Sequence, residues 1–209
     1  MKNLKHIAIS GNIGSGKTTL AEKLAKHYGW TPLYESVDKN PYLKDFYEDM
    51  SRWAFHLQIF FLNSRFRQVN EIRANTKTTI QDRTIYEDAY IFAANLHKSG
   101  HISDRDYQSY LDIFNSMISF VKAPDLLIYL RSDIPKLVRQ IQKRGREYEY
   151  AMRLDYLKNL NEHYETWIGG YKEGKLLIVD VNELDFVENT EDFSGIVNRI
   201  DLEINSLFS

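Results

Sequence analysis

The chain has 209 residues, 43% hydrophobic and 27% charged, which is enough to bury a core of one domain. Lys and Arg number 27 against 29 Asp and Glu, and a net charge of −2 argues against a protein that coats nucleic acid. The absence of cysteine excludes disulfides, thiolate-bound zinc and thiol catalysis. No apolar run approaches the ~20 residues of a membrane span, so a cytoplasmic protein with no membrane partner is expected.

Five short runs read as strands: Leu4–Ser10, Thr31–Tyr34, Thr78–Gln81, Leu126–Leu130 and Leu176–Val179. The first, fourth and fifth are nearly continuous apolar runs, as strands are when helices cover both sheet faces. Helical spacing fills the intervals. Lys17–Tyr28 stops at Gly29, and Ser51–Asn75 is one long helix. Ser103–Val121 opens on a Ser103/Asp106 capping pair and precedes Pro124. Pro135–Arg144 begins with proline and stops at Gly145, and Leu154–Trp167 ends at a glycine pair. An apolar stripe from Phe193 to Leu207 marks a last helix. The alternation predicts an α/β fold: a five-stranded parallel sheet with helices on both faces, in a single domain over 1–209. Polar groups collect at the strand ends, at Glu35, Asp82-Arg83, Arg131 and Asp180, where open parallel sheets bind ligands.

Gly11-Asn12-Ile13-Gly14-Ser15-Gly16-Lys17-Thr18 matches G-x-x-x-x-G-K-[ST], with Thr19 continuing into the helix. A strand precedes it and an amphipathic helix follows, as phosphate binding requires. Glycines let backbone N–H groups turn toward an anion, and the helix terminus adds partial positive charge. Lys17 is expected to reach the outer phosphates and Thr18 to ligate Mg²⁺. The segment Gly11 to Thr19 is therefore the expected ATP-binding loop of a P-loop NTPase fold. It leaves open what, if anything, is phosphorylated.

Three further segments narrow the choice: Tyr34-Glu35-Ser36-Val37, Asp82-Arg83-Thr84-Ile85-Tyr86-Glu87-Asp88 and Arg144-Gly145-Arg146. With the loop, with Trp53 to Gln58 and with Tyr90 to Leu96, they resemble the deoxynucleoside kinase family over nearly the whole chain. The D-R-T triplet is most similar to the bacterial purine-preferring members. The resemblance implies transfer of the ATP γ-phosphoryl group to a deoxynucleoside 5′-hydroxyl in nucleotide salvage, with Mg²⁺. Deoxyadenosine leads as acceptor, ahead of deoxyguanosine and deoxycytidine.

The chemistry fits those positions. Glu35 can orient the attacking hydroxyl and accept its proton, a role the family assigns to this position. Arg83 can stabilise charge on the transferring group, or form a structural salt bridge. Asp82 resembles an acid that holds Mg²⁺ with Thr18. The resemblance implies Gln58, Arg65 and Asp88 at the base, with Phe61 and Phe92 lining it or simply packing in the core. It implies Tyr47 and Glu149 at the 3′-hydroxyl and Leu43 in the pocket wall. A lid of about residues 135–150 would clamp ATP with Arg144 and Arg146. Another lid arginine, frequent in the family, is replaced by Gln140, beside Arg139. Asp185 and Phe186 fall in the expected adenine loop, which is one residue longer than in the deoxycytidine kinase type. The family forms homodimers; Tyr107, Tyr110, Leu111, Phe114, Met117 and Ile118 could serve that purpose or pack on the sheet.

Two other readings remain open at this level. A nucleoside monophosphate kinase would use arginines such as Arg52, Arg65, Arg67 and Arg73 to hold the acceptor's phosphate. A non-catalytic ATP-binding regulator needs only the loop.

Overall fold

The computed structural model describes residues 4–34, 39–146, 149 and 152–207. Along the chain run β1 (His6–Gly11), α1 (Lys17–Tyr28), β2 (Thr31–Leu33), α2 (Leu43–Glu48) and α3 (Met50–Ala74). β3 (Thr79–Asp82) leads into α4 (Ile85–Glu87), a π-helical segment (Asp88–Ala93) and α5 (Ala94–Lys98). α6 (Asp104–Ile118), β4 (Leu126–Arg131), α7 (Ile134–Arg144), α8 (Leu154–Gly169), β5 (Lys175–Asp180) and α9 (Thr190–Ser206) complete it.

All five strands are parallel, in the order β2-β3-β1-β4-β5. Side-chain alternation divides the interior into two layers. Ile7, Ile9, Ile80, Leu126, Ile128 and Val179 pack with Leu20 and Leu24 of α1 and with Ile196 and Ile200 of α9. Ala8, Leu127 and Tyr129 face the other way, onto Leu57 and Phe61 of α3 and Leu160 and Tyr164 of α8. Burial of both faces is why these strands read as unbroken apolar runs. β2 is different: it is a half-buried edge strand, and Pro32 is tolerated there because an edge has amide positions with no neighbour.

From β1 the chain crosses to β2 on one side, and from β3 it crosses back to β4 on the other. The crevice at this switch point lies between β1 and β3, at the carboxyl ends of their strands. The register Ile9↔Asp82 sets the glycine loop after β1 directly beside Asp82 and Arg83.

Most expected elements occur within a few residues of their predicted bounds. α6 is the exception, ending at Ile118 instead of Val121, where the backbone tightens into turns closed by Phe120 N–H and Val121 N–H. Its start is as expected, with Ser103 Oγ accepting the Asp106 N–H at 3.1 Å. Two elements escaped sequence reading, the short α2 and the run from Ile85 to Lys98 with its π segment. Tyr110 and Phe114 are buried within the chain's own core, so these two pack internally. No helix among the described residues is long and apolar enough to cross a membrane.

Candidate active site

One cavity of about 320 Å³ opens at the crevice, within the range of small-molecule sites. Its lining joins the glycine loop (Ile13, Gly14, Lys17, Thr18), the β3 end (Asp82, Arg83) and the π segment (Asp88, Phe92). Leu43, Tyr47, Gln58 and Phe61 form another wall, and Arg144, Arg146 and Glu149 close it from the α7 side. Tyr34, Phe46, Leu57 and Tyr156 also line it, residues that sequence reading did not single out. Glu35 lies outside the described residues, next in the chain after Tyr34.

The loop is built by close approach. Gly14 and Gly16 have φ of 85° and 92°, in the left-handed region that disfavours a side chain. A β-carbon on Gly14 would stand 2.7 Å from the Leu137 carbonyl of α7, and one on Gly16 would stand 2.8 Å from the Phe186 ring. α7 therefore lies directly over the loop. Asn12 anchors the loop to α8: its Nδ2 donates to Leu157 O (3.1 Å) and Asn161 Oδ1 (3.0 Å), while its Oδ1 accepts the Ile13 N–H (2.8 Å). Lys17 Nζ donates to Asn12 O at 2.9 Å, inside the curve of the loop. The loop thus presents the ammonium and the α1 N-terminus to one space, which suits polyphosphate.

Of the expected ATP-contacting residues, Ile13, Gly14, Lys17, Thr18, Arg144 and Arg146 line the cavity, whereas Gly11, Asn12, Ser15, Gly16 and Thr19 do not. Asp185 and Phe186 also lie off it. Phe186 is buried in the core under Gly16. Asp185 is exposed and accepts the Val187 and Glu188 N–H groups at 3.2 Å. Those backbone bonds, chiefly from Glu188, hold its carboxyl below the usual range. α7 is tied to the same loop by Lys136, whose ammonium donates to the Val181, Asn182 (3.1 Å) and Leu184 (2.7 Å) carbonyls. Arg139 and Gln140 are exposed and do not line the cavity.

At the β3 end, Thr18 Oγ1 donates to Asp82 Oδ2 at 2.6 Å. Asp82 Oδ1 is buried and accepts no hydrogen bond from the described residues. A hydroxyl and a carboxylate with a spare oxygen beside a phosphate loop are hard donors that suit Mg²⁺, which takes few protein ligands and fills the rest with water and phosphate.

Arg83 is the one non-glycine residue with positive φ (73°) among the described residues. Its amide donates to Ile9 O at 2.9 Å, its guanidinium sits 4.3 Å over the Phe92 ring, and Nη1 donates to Tyr164 Oη at 3.3 Å. Tyr164 Oη donates onward to Glu87 Oε1 at 2.8 Å, and Glu87 Oε2 accepts the Thr84 N–H and hydroxyl. Glu87 thus caps the helix that follows Arg83 and ends the chain of bonds that begins at its guanidinium. Burial raises the Tyr164 hydroxyl far above its ordinary pKa, so it remains a donor to Glu87.

The cavity wall also carries Gln58, Asp88 and Phe92. Gln58 Oε1 is buried and accepts no hydrogen bond from the described residues. Asp88 is 2% exposed and pairs with Arg65 at 3.5 Å, itself 1% exposed and behind the wall instead of on it. Arg65 therefore stands behind Asp88 and does not line the cavity. Glu149 pairs with Arg144 through two of the guanidinium nitrogens, Nε and Nη2, and lies 3.9 Å from Arg146. The polar ends of β4 and β5 are structural: Arg131 makes a bidentate pair with Glu165 (3.0 and 2.8 Å), and Asp180 accepts the Asn182 N–H.

Residues 7–205 match the family model for deoxynucleoside kinase. The chain is 38% identical over 196 residues to the deoxyadenosine/deoxycytidine kinase of Bacillus subtilis, covering 93% of this chain and 90% of that one. It is 41% identical to the deoxyadenosine kinase of Dictyostelium discoideum, over 88% of this chain and 74% of that one. Deoxyadenosine kinase from M. mycoides with bound dATP superposes with a TM-score of 0.83 at 30% identity, covering 94% of this chain and 99% of that one. These likenesses accompany a glycine loop and a switch-point cavity, and the chain belongs to the deoxynucleoside kinase family.

Proposed function

We propose that this deoxynucleoside kinase takes deoxyadenosine as its preferred acceptor, with deoxyguanosine and deoxycytidine behind it, and transfers the γ-phosphoryl group of ATP to the 5′-hydroxyl. The observation that carries the reading is that one cavity is lined both by Lys17 and Thr18 and by Gln58 and Asp88. Glu35 accepts the 5′-hydroxyl proton, and Arg83, which lines the cavity, stabilises charge on the transferring group. Gln58 and Asp88 face the base, Phe61 and Phe92 line it, and Leu43 closes the wall. Tyr47 and Glu149 hold the 3′-hydroxyl. Arg144 and Arg146 hold phosphates under the lid of about residues 135–150, of which 147, 148 and 150 lie outside the described residues. Thr18 and Asp82 hold Mg²⁺, which when bound neutralises charge on the phosphates. The same reading covers cytoplasmic salvage by a homodimer; exposed Tyr90, Ile113 and Phe120 support pairing, and sedimentation tests it.

A monophosphate acceptor is disfavoured by where the arginines lie. Arg52, Arg67 and Arg73 are exposed and Arg65 is buried against Asp88, so none of the four lines the cavity. The test is a turnover panel with Mg-ATP and each deoxynucleoside beside its 5′-monophosphate. Conversion of nucleosides alone, deoxyadenosine fastest, is the expected result. Conversion of a monophosphate, or a different rank order, refutes the corresponding part.

A further inference from the structure

Behind the cavity, four buried side chains form a polar chain through the α3 side of the sheet. Arg65 Nη1 donates to Asp82 O and to Gln68 Oε1, both at 3.3 Å. Gln81 Nε2 donates to the same Gln68 oxygen at 3.0 Å, and His6 Nε2 meets Gln81 Oε1 at 2.9 Å. Gln68 Nε2 donates to Tyr34 O at 2.7 Å. The two ends leave no freedom in the middle. A guanidinium only donates and a carbonyl only accepts, so Gln68 must turn its oxygen to Arg65 and its nitrogen to Tyr34. That fixes Gln81, and Gln81 in turn requires a proton on His6 Nε2.

Tyr34 is the place where such a hold matters. β2 has three residues, and its ladder with β3 ends at Leu33↔Gln81. The Tyr34 carbonyl lies one residue past the ladder and one before Glu35. We infer that Gln68 is a positioning residue for phosphoryl transfer, tying Arg65, which stands behind Asp88 of the cavity wall, to the main chain that leads into Glu35. The inference rests on the reading of Glu35 as general base. It adds that Arg65 and the main chain one residue before Glu35 are joined through one amide side chain.

Gln68→Met keeps the volume and removes every hydrogen bond. Gln68→Glu still accepts from Arg65 and Gln81 but turns an acceptor toward the Tyr34 carbonyl. Both variants are expected to lose about 10-fold or more in kcat for deoxyadenosine, with ATP affinity, measured by direct binding, within about twofold of wild type. In a Glu35→Gln background, Gln68→Met should add less than about twofold, since its effect acts through Glu35. Wild-type kcat in both variants, with only the melting temperature lowered, overturns the inference and leaves Gln68 a packing residue. So does a fully additive loss in the double variant. Should Glu35→Gln itself retain turnover, the base reading fails first, and that outcome is distinguishable from failure at Gln68.

Discussion

Arg83 Nη1 reaches Tyr164 Oη at 3.3 Å, joining a residue at the end of β3 to one on α8 that is 81 positions later in the chain. Tyr164 in turn donates to buried Glu87, so a buried cation is matched to a carboxylate through one phenol. Tyr164→Phe keeps the ring and removes the link. Loss of a hydrogen bond to a charged group amounts to about 1.5–3 kcal/mol, so turnover should fall roughly 10-fold or more with ATP affinity retained. Steady-state kinetics with parallel nucleotide binding reads this directly. Unchanged kcat would mean that Phe92 and the β3 backbone suffice to aim Arg83.

Glu35→Gln removes the proton acceptor while keeping the shape. Turnover should drop by roughly 10²–10⁴ and ATP binding should persist. A variant within a few-fold of wild type would exclude Glu35 as the base.

Asp88 has two separable consequences. Asp88→Ala strips the base wall of its carboxylate, so discrimination among deoxynucleosides should narrow. It also leaves Arg65 buried beside an empty position, a loss of about 3–5 kcal/mol that urea unfolding would register. Arg65→Met in the Asp88→Ala background should recover part of that stability without restoring base preference. Recovery of both would mean that Asp88 serves the fold alone.

Asp82→Asn keeps the Thr18 contact geometry but weakens a divalent cation. The Mg²⁺ concentration for half-maximal turnover should rise by about 10-fold, with a smaller change in deoxyadenosine KM. An unchanged Mg²⁺ requirement would remove Asp82 from the metal site.

Burial lowers His6 from its ordinary 6.5 to about 4, against a smaller opposing effect of its bond to Gln81. The unfolded chain therefore binds a proton on this ring before the folded one does. Its contribution to stability is complete above pH 6.5 and is lost as pH falls from there toward 4, on the order of 3 kcal/mol at most. Unfolding free energy measured between pH 6.5 and 5, before most carboxylates titrate, should fall with acidification. The slope in that window should flatten in His6→Asn. The same slope in both proteins would assign the loss to another group.

Local chemistry made part of this molecule legible. α1 keeps its predicted bounds because its start is set by a glycine loop and its stop by Gly29, both read within a few residues. The parallel sheet was visible because strands buried on both faces have no polar alternation. Lys17 and Thr18 could be named from the glycine-loop motif, and Asp82 and Arg83 because strand ends are marked by where apolar runs stop. What joins distant segments carries no such mark. The strand order that sets β1 between β3 and β4, Tyr164 on Arg83, Asn161 on Asn12 and Gln68 on Tyr34 are contacts between residues far apart in the chain, without periodicity between them. Arg65 shows the difference within one side chain. Its spacing from Gln58 put it on the same helix face, but only the packing of α3 against β3 and the π segment decided that it stands behind Asp88, where a buried cation has to have its counter-ion.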